Sequence, residues 1–189
     1  MLTCVGMFLV FLGLYFAFFY LSAFAQNRLG QTQTTAFNTL IIMNAVGLPG
    51  RIIPNYIAGS VGPLNILAPF CAGVGILLLF WQLVGSYGGL VAWACMYGIV
   101  AAGVQSMFPA TLSSLTTDLS KAGVRMGMIF SIVSFACLTG SPIGGALIER
   151  AGGGYTGGQV FAGVVVLVGS ACLVCARREK TGRWWGGTV

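Results

Sequence analysis

Six long apolar runs, separated by short breaks rich in glycine, proline and hydroxyl residues, dominate this chain of 189 residues. A helix needs about 20 mostly apolar residues to cross about 30 Å of hydrocarbon, and each run is close to that length. Unpaired backbone groups are too costly in lipid, so each run is predicted to be helical. The predicted spans are about 4–25, 36–58, 64–84, 89–110, 127–148 and 159–176.

Composition supports hydrocarbon as the surrounding medium. Charged residues make up 6% of the chain, whereas about 25% is usual for soluble domains, and mean hydropathy is +0.93. The opening run lacks a basic flank and exceeds the apolar core of a cleavable signal peptide, so it is predicted to be a span. The sequence therefore predicts an all-α integral membrane protein, a six-helix bundle over residues 1–176 in the lipid bilayer, followed by a basic tail at 177–189.

Several classes of chemistry are disfavoured by composition. The chain has no histidine and three acidic residues, so hydrolysis, metal catalysis and most acid–base catalysis are not expected, and we predict no enzyme, metal site or cofactor. Cys172 and Cys175 have redox-pair spacing but lie in an apolar run without a second pair, which favours small apolar side chains in lipid. The net charge of +6 does not indicate a nucleic-acid partner, because four basic residues cluster in the short tail, where they typically set membrane topology.

The distribution of basic residues predicts an orientation. Alternate sides of a six-span chain receive seven and two of them. Because basic residues concentrate on the cytoplasmic side, both termini and the 111–126 loop are predicted to be cytoplasmic, with the plasma membrane as the expected location. The seven are Arg51, Lys121, Arg125, Arg177, Arg178, Lys180 and Arg183, and the two are Arg28 and Arg150.

A faint internal repeat appears when the chain is shifted by 90 residues. GRIIPNYIAGSVG (50–62) then aligns with GSPIGGALIERAG (140–152), and Gly50, Ile53 and Gly62 meet Gly140, Ile143 and Gly152. Each segment closes the second of three helices and leads by a short turn into the third. The pattern fits two inverted three-helix repeats, the organisation found within one half of many transporters.

Three stretches carry a family resemblance: YFAFFYLSAFA, GRIIPNYIAGSVGPLN and DLSKAGVRMGMIFSIVSFACLTGSPIGGALI. They resemble the carboxy-terminal half of fungal monocarboxylate-transporter-like members of the major facilitator superfamily, over nearly all of residues 8–176. The six helices would then correspond to the seventh through twelfth of that family, without its amino-terminal half. The resemblance implies that the first, second, fourth and fifth helices face a cavity and that the third and sixth are peripheral.

The family's G-x-x-x-D-R-x-G loop motif is matched by GALIERAG (145–152), with Glu149 for aspartate and Arg150 for arginine. In the family this pair contributes to locking one conformation. The corresponding turn NYIAGSVG (55–62) carries Gly59 and Ser60 instead of the charged pair. The resemblance also implies a gating role for Asp118 and Arg125, in the loop before the fifth helix. The alternative for Asp118 is a surface ion pair with Lys121.

Arg51 is the most informative single residue, since it lies among isoleucines inside the second span. If that helix ends near Ala58, Arg51 lies seven residues, or about 10 Å, inside the end. Two interpretations remain open: the guanidinium extends to the headgroups, or it meets an anion in a water-filled cavity. The resemblance favours the second, because the family's eighth helix carries an arginine implicated in monocarboxylate handling. Pro49, Gly50 and Pro54 around it predict either a gating kink or a merely bent packing helix.

Other candidate lining residues are polar or aromatic side chains on the same helices. Tyr15 and Phe19 share a face of the first helix, with lipid contact or packing as the alternative. Asn44 either lines the cavity or forms a helix–helix hydrogen bond. Ser134 either borders the cavity or bonds to its own preceding turn.

Three hypotheses for function follow. The first is transport of a small solute, namely a monocarboxylate or related organic anion, by a chain that pairs with a second six-helix half supplied by its own copy or by another protein. The second is a truncated or degenerate half without transport activity. The third is a membrane scaffold or subunit.

Overall fold

The computed structural model describes residues 2–114 and 122–181, the last three of these by their backbone alone. The predicted all-α fold is confirmed: the described residues form six helices that are long and apolar enough to cross a membrane, with no strand among them. A 3₁₀ turn, Trp81–Leu83, follows the third helix. The helices are α1 Leu2–Asn27, α2 Gln33–Val61, α3 Pro63–Phe80, α4 Tyr87–Ser114, α5 Ala122–Arg150 and α6 Thr156–Thr181.

Helices α1 and α6 run antiparallel along one side of the bundle. Near the start of α1, a Cβ atom built on Gly6 would lie 2.9 Å from the Gly169 carbonyl oxygen. At the other end, Asn27 Nδ2 donates a hydrogen bond to the Tyr155 hydroxyl at 3.0 Å. The start of α1 and the end of α6 therefore lie at the same end of the bundle.

The α2 and α5 helices each pack against the first helix of the opposite three-helix repeat. A Cβ atom on Gly50 of α2 would lie 2.1 Å from the carbonyl oxygen of Ile99 on α4. A Cβ atom on Gly140 of α5 would likewise lie 2.1 Å from the carbonyl oxygen of Leu12 on α1. Only glycine permits such close backbone approach between membrane helices.

The two turn glycines aligned by the repeat both have a positive φ. Gly62, which ends α2, has φ +96°, and Gly152, just after α5, has φ +62°. Both values lie in the left-handed region, where side chains other than glycine are disfavoured. After α5, Gly153 N–H donates to the Ile148 oxygen and Gly152 N–H to the Glu149 oxygen, which is a Schellman termination. The repeat identities thus fall where backbone geometry requires glycine.

A buried stack of aromatic rings fixes α1 against α4. Trp93 stacks between Trp81 and Tyr97, with ring centroids 4.6 and 4.8 Å away. Trp93 Nε1 donates to the Leu77 carbonyl at 2.7 Å, and the Tyr97 hydroxyl donates to the Leu14 carbonyl at 2.6 Å. The Trp81 ring nitrogen has no hydrogen-bond partner among the described residues. The stacked rings and the two hydrogen bonds of Trp93 and Tyr97 nevertheless make a rigid support for the middle of α1.

We expect Tyr97→Phe to destabilise the protein by about 1 kcal/mol, because it removes the buried hydroxyl that joins α4 to the α1 backbone. The midpoint of thermal unfolding in mild detergent should fall by a few degrees. Tyr56→Phe is the matched control, since that tyrosine is 87% exposed. Equal midpoints for the two variants would contradict a structural role for the Tyr97 bond.

Helices α3 and α6 lie side by side at the periphery, as the resemblance implied. Ser170 of α6 donates to the Ala68 carbonyl of α3 at 2.9 Å. At the end of α6, Arg177 Nε donates to the Asn65 side-chain oxygen, and Arg177 is buried. In contrast, α2 and α5 are the least covered helices: 28% and 17% of their apolar windows are buried, against 44–50% for the other four. One side of the bundle, formed by α2 and α5, is therefore largely uncovered.

Candidate functional site

A cavity of about 470 Å³ lies where α1, α2, α4 and α5 converge. We call it the central cavity. Its aromatic lining comprises Phe11, Tyr15, Phe108 and Phe130. Its lining residues with polar or thiol groups are Arg51, Gln105, Ser106, Ser134 and Cys137, and Val133 completes it. Among the side chains that the structure describes, no lining residue comes from α3 or α6, which agrees with the division into cavity-facing and peripheral helices that the resemblance implied.

Arg51 is held in place by contacts between α2 and α4. Asn55 Nδ2 donates to the Arg51 carbonyl at 2.7 Å and to the Ser106 hydroxyl at 2.9 Å. The tight Gly50–Ile99 contact lies beside this polar link. Helix α2 ends at Val61 rather than near Ala58, so Arg51 lies ten residues, or about 15 Å, before its end. Arg51 therefore lies one turn farther from the helix end than the sequence predicted.

The Arg51 side chain is exposed, and its charge is not neutralised by the described part of the chain. Glu149 is the single acidic side chain that the structure describes, and it lies at the end of α5, outside the central cavity. A cation within a membrane span usually faces a bundle interior and pairs with another group. A guanidinium can donate two parallel hydrogen bonds to a carboxylate. The cavity therefore offers a site for an anion.

The structure brings Tyr15 and Ser134 to the same cavity as Arg51. The Tyr15 ring lies 6.0 Å from that of Phe11 and 5.7 Å from that of Phe18. The Ser134 hydroxyl donates to the Ser131 carbonyl at 2.7 Å, so it bonds to its own turn and borders the cavity at once. The two interpretations given for Ser134, bordering the cavity and bonding to its own turn, are therefore compatible, and both are observed.

Phe19 and Asn44 do not reach the central cavity. Phe19 is 61% exposed on α1. Asn44 lines a separate shallow groove on α2 with Phe37 and Leu48, and its Nδ2 donates to the Leu40 carbonyl of its own helix at 2.9 Å. The hydrogen bond expected from Asn44 to another helix is thus replaced by one within α2.

The predicted gating residues occupy three regions. Pro49 is exposed and Pro54 buried in α2, on either side of Gly50. Arg125 is exposed in the first turn of α5, whereas Glu149 and Arg150 are exposed in its last turn. Asp118 and Lys121 lie outside the described residues. Gating by any of these side chains stays a prediction.

Sequence reasoning missed Gln105, Ser106 and the phenylalanines of the cavity. Gln105 lines the cavity, and its side-chain nitrogen has no hydrogen-bond partner among the described residues. The 90-residue shift would have found it, because position 105 is the repeat equivalent of Tyr15. Cys172 and Cys175 are free thiols, and the described residues contain no group of three or more histidine, cysteine or acidic side chains placed to hold a metal.

Comparison with known proteins gives the wider context. No family model matches this chain. An MFS-type transporter of Gibberella zeae is 39% identical over 92% of the chain and 40% of its own length. MFS denotes the major facilitator superfamily. The chain matches one part of a fungal MFS-type transporter.

Other relatives of the chain carry similar names. The "Agnestins efflux protein AgnL12" of Paecilomyces divaricatus is 35% identical over 94% of the chain, and the MFS-type transporter opdF of Penicillium oxalicum is 31% identical over all of it. The segment spans about 40% and 44% of these two relatives. These relatives are named as transporters rather than enzymes. The six-helix chain is therefore similar to about two fifths of each of these relatives.

Proposed function

We propose that this chain contributes the carboxy-terminal half of an MFS-type carrier for small organic anions, with carboxylates as the preferred class. The observation that carries this proposal is the Arg51 guanidinium, exposed in the central cavity and without a carboxylate partner among the described residues. Tyr15, Ser106 and Ser134 add hydroxyl groups around it. The relative named as an efflux protein favours outward movement as the direction of transport, and we propose the plasma membrane as the location.

The proposed carrier includes a second six-helix unit, which covers the side formed by α2 and α5. Two observations support this partner. The central cavity borders this uncovered side, since Arg51, Phe130 and Ser134 are all exposed. The segment also spans about two fifths of its relatives, which leaves length for another bundle. Transport by rocking of two halves around a central site needs both of them. We propose that both ends of this segment lie in the cytoplasm, from the excess of basic residues at that end.

An uptake experiment with charged and neutral analogues tests the proposal. Vesicles would contain this chain together with the part of the Gibberella zeae relative that the chain does not match, and matched vesicles would contain either part alone. We expect saturable uptake of a labelled carboxylate by the pair, competed by other carboxylates but not by their neutral amides, because only the anion satisfies Arg51.

Two outcomes would count against this function. If the pair takes up carboxylates and amides equally, the Arg51 charge does not contribute to substrate recognition. Uptake no greater than that of empty vesicles for every anion would favour a half without transport activity.

A further inference from the structure

The central cavity has an aromatic wall as well as a cation. Three rings from three different helices form this wall, with Phe108 of α4 in contact with both Phe11 of α1 and Phe130 of α5. The Phe11 and Phe108 centroids lie 5.1 Å apart, and those of Phe108 and Phe130 lie 5.0 Å apart at an interplanar angle of 60°. These distances are those of favourable aromatic pairs.

Phe130 is the member of this wall that a ligand can reach. Phe11 and Phe108 are 6% and 3% exposed, whereas Phe130 is 44% exposed. The Phe130 ring thus packs against the buried Phe108 ring, which in turn packs against Phe11. A preorganised ring costs less conformational entropy when it binds a ligand than a flexible side chain does.

Polar groups occupy the same cavity as the aromatic wall. Arg51 supplies a charged donor, and the unpaired Gln105 side-chain nitrogen supplies a neutral one. A buried donor without a partner is unfavourable, so an acceptor group on a bound molecule would compensate it. A ligand that satisfies the whole cavity combines a flat ring with an anionic group.

We infer that the central cavity selects aromatic organic anions over saturated anions of the same skeleton. The ring contacts Phe130 edge-to-face or offset, and the carboxylate or phenolate contacts Arg51. This inference rests on the proposed function and narrows its substrate class. The aromatic contact is worth about 2- to 12-fold in affinity beyond the apolar area that both kinds of anion bury.

Cys137 provides the readout, because this free thiol lines the central cavity. A bound ligand should slow its alkylation by N-ethylmaleimide in membranes that contain the chain, as quantified by mass spectrometry of the Cys137 peptide. Cys175, which is exposed on α6 and outside the cavity, serves as an internal control whose alkylation should not change. The concentration that gives half-protection measures binding without requiring transport.

The probes are 2-naphthoate, its saturated analogue decahydronaphthalene-2-carboxylate and the neutral 2-naphthalenemethanol. In the unaltered chain, naphthoate should protect Cys137 at a concentration about 2- to 12-fold lower than the saturated acid does. Phe130→Leu should abolish this difference, because it weakens protection by naphthoate more than protection by the saturated acid. Phe135→Leu is the matched control on the same helix, since Phe135 is 64% exposed and outside the cavity, and it should retain the difference.

The outcomes separate this inference from the proposed function. Equal protection by the two acids, or an aromatic preference that survives Phe130→Leu, would overturn the aromatic inference and leave anion binding intact. Protection by the neutral alcohol at the naphthoate concentration would contradict the proposed anion site but not the aromatic preference. No protection by any probe would contradict both.

Discussion

Replacing Arg51 by alanine is expected to weaken the binding of an organic carboxylate about 10- to 100-fold. A hydrogen bond to a charged group contributes about 1.5–3 kcal/mol, and about 1.4 kcal/mol corresponds to a factor of ten. The effect should reach this range because the described residues provide no other cation in the central cavity. The measurement is the naphthoate concentration that half-protects Cys137 from alkylation.

Two further variants define what Arg51 contributes. Arg51→Lys keeps the charge but loses the planar pair of donors, so its affinity should fall between those of the unaltered chain and Arg51→Ala. Arg125→Ala removes an exposed arginine at the start of α5, outside the cavity, and should leave protection unchanged. An Arg51→Ala protein that binds the carboxylate as tightly as the unaltered chain would show that the guanidinium contacts headgroups instead.

Replacing Gly50 by alanine is expected to destabilise the bundle by about 1–3 kcal/mol, the usual cost of overpacking a close contact. The added Cβ atom would lie 2.1 Å from the Ile99 carbonyl oxygen, and that neighbour is backbone, which cannot rotate away. Helices α2 and α4 would have to separate. The midpoint of thermal unfolding in mild detergent should fall clearly. Ligand protection of Cys137 should also weaken, because Arg51 is the next residue on α2 and would be displaced with the helix.

Gly59→Ala provides the control within the same helix. A Cβ atom at Gly59 meets nothing within 4 Å, so alanine should be neutral or slightly stabilising through its better helix propensity. The repeat extends the test: Gly140→Ala should be as harmful as Gly50→Ala, whereas Gly127→Ala on α5 should be harmless. If Gly50→Ala and Gly59→Ala unfold at the same temperature, the close helix contact is not required.

Much of the fold was accessible from sequence because hydrocarbon imposes simple rules on a chain. Six apolar runs predicted six helices, and their bounds differ from the predicted spans mainly where a helix continues past the hydrocarbon-length segment. Helix α2 shows the reason: its breakers Pro49 and Pro54 do not end it, and the left-handed Gly62 does. That termination depends on a backbone conformation, which hydropathy does not report.

The candidate site was only partly accessible. Arg51 could be identified because charged residues are rare in this chain. A charge inside a predicted span also suggested a water-filled cavity, because a cation is costly in hydrocarbon. Phe108 and Phe130 were not separable from the many other phenylalanines, because apolar side chains face lipid, neighbouring helices and cavities alike. Phe19 and Asn44 were selected for chemical type, and the rotation of their helices directs them elsewhere. Burial and ring geometry in the structure, rather than residue identity, show which side chains line the central cavity.

The reciprocal contacts of Gly50 with Ile99 and of Gly140 with Leu12 bear on how this bundle assembles during synthesis. The Gly50–Ile99 contact of α2 cannot form until α4 has entered the bilayer. The Leu12–Gly140 contact of α1 likewise cannot form until α5 has entered it. Each three-helix repeat therefore packs its second helix against the other repeat. In a nascent chain released after its third helix, Gly50 and Leu12 would lack the helices that they contact in the complete bundle. Early termination in the connection between residues 84 and 87 should yield a product that is degraded, not a smaller working module.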